Sequence, residues 1–274
     1  MVRRHNDSGQ VGEHPLKILL TNDDGVHAKG LWTVARALKA VGEVLVVAPD
    51  RDQSGISSAV TLHHPIRARE VAPQSKGVMT YAVEGTPSDS VILALERLAE
   101  GKVDLVVSGI NEGANLGEDI LLSGTVGAAF QGYFRGIPSM AVSVASLTKV
   151  RYGPAAAIVR GLAQAVAAGS LKSPLLLNVN VPNVPVKEIK GIDVTQMGNR
   201  TFMDVAEEGH DGRRTYYWIK RNRPTGDLKE GTDIWSVRNK RISITPLSAQ
   251  LTDSEGASGL AELSKDVFRA VRPE

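Results

Sequence analysis

The sequence contains no cysteine and few aromatic residues, and each absence excludes a class of function. Without cysteine, the 274-residue chain can form no disulfide, no thiolate zinc site and no cysteine nucleophile. Phenylalanine, tryptophan and tyrosine together make up 4% of the residues, which disfavours a surface that stacks on nucleic-acid bases. Oxygen atoms remain the natural ligands for a metal site, and they suit hard cations such as Mg²⁺ and Mn²⁺.

The sequence also lacks an excess of one charge and any long apolar run. Its 32 basic and 30 acidic residues are interspersed, so we expect no stable nucleic-acid partner. No segment approaches the roughly 20 apolar residues of a membrane span, and residues 1–15 lack the apolar region of a secretory signal. We therefore expect a cytoplasmic protein with no membrane partner, in which residues 1–15 form a disordered tail.

An acidic turn near the beginning of the chain is the feature around which the rest is organised. The apolar run Ile18-Leu19-Leu20 is typical of a buried parallel strand, and it leads into Asp23-Asp24-Gly25. The carboxyl ends of such strands are where open α/β sheets bind ligands. Because glycine favours a turn there, both carboxylates can reach one hard cation. An isolated Asp-Asp-Gly run would indicate only a loop.

Strand and helix patterns alternate after this turn, which predicts a parallel sheet covered by helices on both faces, a three-layer α/β fold. Gly42 is predicted to cap the first helix, and residues 108–117 are predicted to form a long loop. The predicted strands after the turn cover residues 44–48, 61–70, 78–83, 103–107, 139–144, 175–179 and 242–247, and the predicted helices cover residues 31–40, 87–100, 126–134, 154–168 and 258–271.

The character of the sequence changes after Pro182. Glycine and proline are frequent up to Lys240, and the β-type run Tyr216-Tyr217-Trp218 lies among them, which predicts an extended β-arm. We therefore predict an α/β catalytic core over residues 16–182. Residues 183–274 are predicted to hold the β-arm, a returning strand and a C-terminal helix, with the exposed aromatic residues facing a partner surface.

Three loops that follow three separate strands are predicted to meet at one edge of the sheet. They are Asp23-Asp24, residues 50–55 and residues 108–117, and their convergence favours a metal site over a solvated turn. Neither a dinucleotide fingerprint nor a Walker loop is present, which argues against a dehydrogenase or a P-loop enzyme. Ser123-Gly124-Thr125 begins a helix, where the backbone N–H groups and the helix dipole favour a phosphate.

These segments resemble the SurE family of survival-protein nucleotidases. The resemblance runs in register from Lys17 to about Thr252, and it implies a Rossmann-like core whose C-terminal β-arm and helix are used in oligomerisation. The motifs that carry it are Asn22-Asp23-Asp24-Gly25, Ala48-Pro49-Asp50-Arg51 with Ser54-Gly55, Gly85-Thr86-Pro87, Ser108-Gly109-Ile110-Asn111, Gly113-Ala114-Asn115, Ser123-Gly124-Thr125-Val126-Gly127, Leu177-Asn178-Val179-Asn180 and Ser243-Ile244-Thr245-Pro246-Leu247.

The resemblance implies a 5′-nucleotidase, a metal-dependent phosphomonoesterase acting on nucleoside 5′-monophosphates. It implies one divalent ion, Mg²⁺ or Mn²⁺, per subunit, and a homodimer with exchanged C-terminal segments or a homotetramer. Asp23 or Asp24 would act as catalytic group by orienting or deprotonating a water. The implied metal ligands are Asp23, Asp24, Ser54 and Asn111, and the implied phosphate ligands are Asn115, Ser123, Gly124 and Thr125.

Several alternatives stay open on the sequence alone. A nucleotide-binding regulatory protein without turnover would keep the same pocket. His27 beside the carboxylates is either a proton-transfer group or a structural residue. Leu122 stands where the family commonly has tyrosine, and both Glu112 and Leu122 border the pocket, where they can alter substrate preference. The base, a 3′-phosphate and short polyphosphates are therefore not distinguished.

Overall fold

The computed structural model describes residues 15–171, 174–199, 204–221 and 229–253, together with residues 257, 260, 263, 264, 267 and 268. Within this part of the chain nine strands form one sheet, and two further strands form a separate hairpin. The strands are β1 (Leu16–Thr21), β2 (Gly42–Pro49), β3 (Ala68–Glu70), β4 (Met79–Val83), β5 (Leu105–Glu112), β6 (Ser139–Val144), β7 (Leu176–Val181), β8 (Ile192–Val194), β9 (Asp204–His210), β10 (Thr215–Arg221) and β11 (Ile242–Pro246).

Helices cover both faces of the large sheet. They are α1 (Lys29–Leu38), α2 (Pro87–Leu93), α3 (Gly124–Tyr133), α4 (Tyr152–Ala167) and α5 (Asp233–Arg238), with a π-helical turn at Ala94–Leu98 and 3₁₀ turns at Gly117–Leu121 and Val186–Glu188. None of the helices in the described ranges combines the length and the apolar character that crossing a membrane requires.

The order in which the chain adds strands reverses at β1, which lies inside the sheet between β2 and β5. The strand order is β3-β4-β2-β1-β5-β6-β7-β11-β8, and the six strands from β4 to β7 are all parallel. The chain builds outward from β1 to β2 and β4, and then returns to place β5 on the other side of β1. In open α/β sheets ligands bind at this switch point, so the topology indicates a ligand site at the residues after β1 and β5.

The alternation of side chains along β1 explains why the fold has three layers. Ile18 and Leu20 pack with α1 and α4 on one face, whereas Leu19 packs with residues of α2 and α3 on the other, and all three are fully buried. A strand that is buried on both faces must be apolar throughout, which is the pattern that the sequence shows. The predicted three-layer α/β fold is confirmed.

Four local predictions need correction. Gly42 begins β2 instead of capping α1; a Cβ there would lie 1.9 Å from the carbonyl oxygen of Leu16, so close strand approach requires the glycine. Residues 61–67 are not a strand, and only Ala68–Glu70 pairs with β4. Residues 108–112 continue β5 and pair with β6 rather than forming a loop. The predicted helix over 87–100 is α-helical only to Leu93.

The β-arm predicted after Pro182 contains the hairpin of β9 and β10, in which Tyr216 pairs with Gly209. A Cβ at Gly209 would lie 2.4 Å from the ring of Tyr216, so the glycine makes room for the aromatic side chain. The described residues of the predicted terminal helix are helical, and the rest of that helix and residues 1–14 lie outside the described part. The division into a core and a C-terminal region stays a prediction.

Candidate active site

The acidic turn lies at the switch point of the sheet, directly after β1. Gly25 adopts a φ of +94°, a conformation that glycine accepts and other residues rarely adopt, and its position faces the backbone of Arg51. The backbone N–H of Val26 donates to the carbonyl of Pro49 at 2.8 Å. The turn after β1 and the loop after β2 are thereby held side by side, as predicted.

Asp23 connects this turn to the beginning of α3. Its Oδ1 accepts a hydrogen bond from the Thr125 hydroxyl at 2.6 Å, and its Oδ2 accepts one from the Thr125 backbone N–H at 3.0 Å. The carbonyl of Asp23 accepts from the N–H of Gln53 at 2.8 Å. Asp23 is buried, and burial raises the pKa of its carboxyl group despite the two bonds from Thr125, which lower it. Through its carboxylate and its backbone carbonyl, Asp23 thus joins three segments of the site.

Asp24 is partly buried beside Asp23, and its charge is the less stabilised of the two. Its Oδ2 lies 3.4 Å from the backbone N–H of Glu112 at the end of β5. Burial first, and the neighbouring charge of Asp23 second, raise the pKa of Asp24 to about 7. Two crowded carboxylates with raised pKa values form a place where a divalent cation is favourable, because the cation offsets both desolvation and repulsion.

Ser54 and Asn111 lie on the loop and the strand that flank these carboxylates. Ser54 is exposed, and its backbone N–H donates to Oδ1 of Asp52 at 2.8 Å. Asn111 is buried near the end of β5, and its amide nitrogen donates to the carbonyl of Gly113 at 2.9 Å. The amide oxygen is therefore the atom that Asn111 can offer to a cation.

The chemistry of this donor set fits a hard divalent ion. Asp23, Asp24, Ser54 and Asn111 bring only oxygen donors, which Mg²⁺ and Mn²⁺ prefer. Within the described ranges no group of three or more His, Cys, Asp and Glu side chains is placed to hold a metal. A site here therefore depends on hydroxyl and amide oxygens in addition to the two carboxylates.

The N-terminus of α3 is the predicted phosphate cradle. Ser123 is the N-cap of α3, and its hydroxyl oxygen accepts from the N–H of Val126 at 3.1 Å, so its own proton remains for donation. A Cβ at Gly124 would lie 3.0 Å from Oδ2 of Asp23, which shows how closely the helix approaches the carboxylate. The hydroxyl and the backbone N–H of Thr125 both donate to Asp23, so the first role of Thr125 is to hold the Asp23 carboxylate in place.

Asn115 is held by three side chains that the sequence analysis did not single out as site residues. Its backbone N–H donates to Oδ1 of Asn180 at 2.9 Å, and its carbonyl accepts from the amide nitrogens of Asn178 and Asn180. Its own amide donates to the hydroxyl of Ser143 at 2.8 Å. A signal was present, because two asparagines spaced by two in an apolar strand lie on one face of the sheet.

Glu112 and Tyr152 form a second pair that the sequence did not predict. The hydroxyl of Tyr152 donates to Oε1 of Glu112, and the backbone N–H of Glu112 reaches Asp24. Burial first, and then the bond to Glu112, raise the pKa of Tyr152. No local pattern marks Tyr152, since α4 reaches the site only through tertiary packing. His27, the other residue considered for proton transfer, is exposed at the acidic turn.

Several known proteins are similar to this chain in sequence. The sequence profile of the family described as "Survival protein SurE" matches residues 18–204. The protein named 5′-nucleotidase SurE of Dehalococcoides mccartyi strain CBDB1 is 44% identical over 238 residues, which cover 86% of this chain and 90% of the relative. The protein of the same name from Geobacter sulfurreducens is also 44% identical, over 94% of this chain and 97% of its own length.

The fold comparison points in the same direction. The crystal structure of the SurE protein from Aquifex aeolicus superimposes with a TM-score of 0.77 and 38% sequence identity, covering 90% of this chain and 99% of the other. The profile match and the identities over most of the chain together carry the conclusion. The chain belongs to the SurE family.

Proposed function

We propose that the protein is a 5′-nucleotidase, a metal-dependent phosphomonoesterase that hydrolyses nucleoside 5′-monophosphates to nucleoside and phosphate. The observation that carries this proposal is the contact between Asp23 and Thr125, because it places a pair of carboxylates against the N-terminus of α3. The names of the similar proteins support the same activity.

Asp23, Asp24, Ser54 and Asn111 would hold one Mg²⁺ or Mn²⁺ ion per subunit. Bound there, such an ion would polarise a phosphoryl oxygen and lower the pKa of a bound water. The choice of this donor set rests on its all-oxygen chemistry and on the raised pKa values of the two carboxyl groups.

Phosphate binding and activation of the attacking water are assigned to separate residues of the chain. The Ser123 hydroxyl and the N–H of Gly124 would bind the phosphate at the positive end of α3, and Asn115 would be a further phosphate ligand. Asp23 is fixed by Thr125 through both oxygens, whereas Asp24 accepts only one long hydrogen bond. We therefore assign the role of orienting or deprotonating the attacking water to Asp24, with Asp23 as the fixed anchor.

A nucleotide-binding regulatory protein without turnover is not favoured. A pure binder would gain nothing from one buried and one partly buried carboxylate side by side, because they cost free energy unless a cation or hydrogen bonds compensate for the loss of water. The similar proteins are also named for an enzymatic activity. Activity on 3′-monophosphates and on short polyphosphates stays a prediction.

The decisive experiment is a phosphate-release assay on the purified protein with a panel of nucleoside 5′- and 3′-monophosphates and short polyphosphates. Release should occur with added Mg²⁺ or Mn²⁺, stop with a chelator and return when the metal is restored. Nucleotide binding without release under any of these metal conditions would contradict the proposal and favour the regulatory alternative.

A further inference from the structure

A buried carboxylate outside the proposed metal site, Asp233, holds the loop that carries Asn115. Asp233 is the first residue of α5 and is fully buried, and its Oδ2 accepts from the backbone N–H of Gly117 at 2.8 Å. Next to this hydrogen bond, Leu116 packs against Ile234 and Val237 of α5. Residues 113–117, here called the phosphate loop, are therefore fixed to a helix more than a hundred residues further along the chain.

The second oxygen of Asp233 binds a different segment. Oδ1 accepts from the N–H of Gly198 at 2.9 Å and from the N–H of Ile234 at 2.8 Å. The backbone N–H of Asp233 donates to the carbonyl of Gln196 at 2.9 Å, and the N–H of Gln196 donates to the carbonyl of Gly231 at 3.0 Å. Residues 196–198 and 229–233 are here called the arm base. They precede and follow the hairpin of β9 and β10, the hairpin of the β-arm, along the chain.

One carboxylate thus bonds the phosphate loop with one oxygen and the arm base with the other. A fully buried carboxylate is stable only while its hydrogen bonds are made, and the backbone N–H groups that it binds lose their partner if it is removed. Movement of either segment therefore weakens the bonds to the other. On its far side the phosphate loop is held by Asn178 and Asn180, which bind the backbone of Asn115.

We propose that Asp233 is a positioning residue for phosphate binding, and that it couples the β-arm to the phosphate loop. This inference rests on the proposed role of Asn115 as a phosphate ligand. Without Asp233 the end of the phosphate loop loses its hydrogen bond at Gly117, so the position of Asn115 then depends on its contacts with Asn178, Asn180 and Ser143. Because coupling between two sites is reciprocal, disturbing the arm base should weaken phosphate binding.

The first test is Asp233→Asn in the full-length, metal-loaded protein. Asparagine keeps the volume but offers one oxygen, so one of the two segments faces an N–H group instead of an acceptor. The dissociation constant of inorganic phosphate, measured by calorimetry, and the KM for a nucleoside monophosphate should both rise about tenfold. The kcat at saturation should change less than about threefold, since the carboxylates after β1 are untouched.

Ser236→Ala is the matched control. The Ser236 hydroxyl lies in α5 and donates to Oδ2 of Asp193 at 2.8 Å, so it stabilises α5 without touching the phosphate loop or the arm base. This variant should lower the melting temperature and leave the phosphate dissociation constant within about twofold of wild type. An increase as large as that of Asp233→Asn would overturn the proposal, because general loosening of α5 would then explain both variants.

Gly198→Ala tests the coupling from the side of the arm. A Cβ at Gly198 would lie 2.9 Å from Cδ1 of Ile234 and 3.2 Å from Oδ1 of Asp233, so it displaces Asp233 without entering the site. Phosphate affinity should fall about threefold or more, whereas Gly161→Ala in α4, where a Cβ meets no atom within 4 Å, should leave it unchanged.

The outcomes separate this inference from the proposed function. If folded Asp233→Asn and Gly198→Ala both bind phosphate like wild type, the positioning role is wrong, whatever the turnover. If Asp233→Asn does not fold, the phosphate affinities of Gly198→Ala and Gly161→Ala decide whether Asp233 positions the phosphate loop. Absence of turnover in the wild-type protein would contradict the proposed nucleotidase, while the phosphate-binding comparison, which needs no turnover, would still test Asp233.

Discussion

At the scale of single residues, the two neighbouring carboxylates have different environments and should respond differently to neutralisation. Asp23 is buried with two bonds from Thr125, whereas Asp24 is partly buried with one long bond from Glu112. Asp23→Asn should abolish turnover and loosen α3, because one Thr125 donor then faces an amide nitrogen. Asp24→Asn should abolish turnover and leave the fold intact. Phosphate release at saturating metal, measured with circular dichroism, checks both, and near-normal turnover in either variant would contradict the assignment.

The pKa of Asp24 gives a prediction for the metal-free protein. With a folded-state pKa of about 7 against an ordinary 3.8, the folded state holds this proton more tightly than the unfolded chain. The stability contribution of the protonated group is fully present below about pH 4 and is lost as the pH rises through about 7. With chelator present, Asp24→Asn should therefore match wild type near about pH 3 and melt at least about 3 °C higher near about pH 8.

The control for this experiment is Glu118→Gln, which neutralises an exposed carboxylate on the 3₁₀ turn before α3. Its melting temperature should follow that of wild type across the whole pH range. If Asp24→Asn also follows wild type at high pH, burial does not disfavour the charge of Asp24, and the argument for a cation at this position loses its electrostatic basis.

Ser123 has two roles that one substitution removes together. Ser123→Ala should cost about 1 kcal/mol of stability through the lost cap of α3. It should also weaken phosphate inhibition by the equivalent of about 1.5–3 kcal/mol through the lost charge-assisted hydrogen bond. Thr86→Ala removes the capping box of α2, so it matches the loss of a cap away from the phosphate cradle. Equal phosphate inhibition constants in the two variants would show that Ser123 is only a cap.

At the scale of elements, the packing of α3 against the loop after β2 sets the position of Ser54. A Cβ at Gly127 would lie 2.4 Å from the carbonyl oxygen of Ser57, which is backbone, so the loop must move. Gly127→Ala should lower the apparent metal affinity about tenfold while the sheet stays folded. Gly153→Ala in α4, where a Cβ meets nothing, is the matched control. Metal-dependent activity curves check the pair, and identical curves would exclude a link between α3 and the metal ligands.

Elements that the sequence predicted well are those whose pattern follows from burial on both faces. The apolar run of β1 predicted a buried parallel strand, and the two carboxylates after it lie at the switch point of the sheet, where the carboxyl end of such a strand is expected to place them. The sequence of residues 108–117 predicts a loop because it is rich in glycine, serine and asparagine, but residues 108–112 continue β5, and pairing of Asn111 with Ser143 on β6 overrides the low strand propensity of glycine and asparagine. Tertiary pairing of this kind is not visible in a local pattern.

Helix α5 was missed for a related reason. It is only six residues long and lies in a segment rich in glycine and proline, where local propensity is weak. What stabilises it is long-range contact, since Ile234 and Val237 pack on Leu116 and Asp233 binds the N–H of Gly117. The Thr232-Asp233 pair was the one available signal, because threonine before an acidic residue is typical of a helix N-terminus.

At the scale of the whole molecule, the described single chain exposes apolar residues in two C-terminal segments. In β10, Tyr217 and Trp218 are each 63% exposed and Ile219 is 70% exposed. Four apolar residues of the terminal helix are also more than half exposed: Leu260, Leu263, Val267 and Phe268. Exposed apolar surface of this extent marks an interaction site.

We therefore propose a homo-oligomer, a dimer or a tetramer with closed two-fold symmetry, in which the β-arm and the terminal helix contact neighbouring subunits. A two-stranded hairpin is only marginally stable alone, so burial of its aromatic face by a second copy stabilises the arm as well as the assembly. Deleting residues 209–226 should reduce the assembly size while the nine-stranded sheet, which shares no strand with the hairpin of β9 and β10, remains folded. Sedimentation velocity at micromolar concentration measures this directly. A monomeric intact chain would contradict the proposal. An unchanged assembly size after the deletion would show that the terminal helix alone makes the subunit contact.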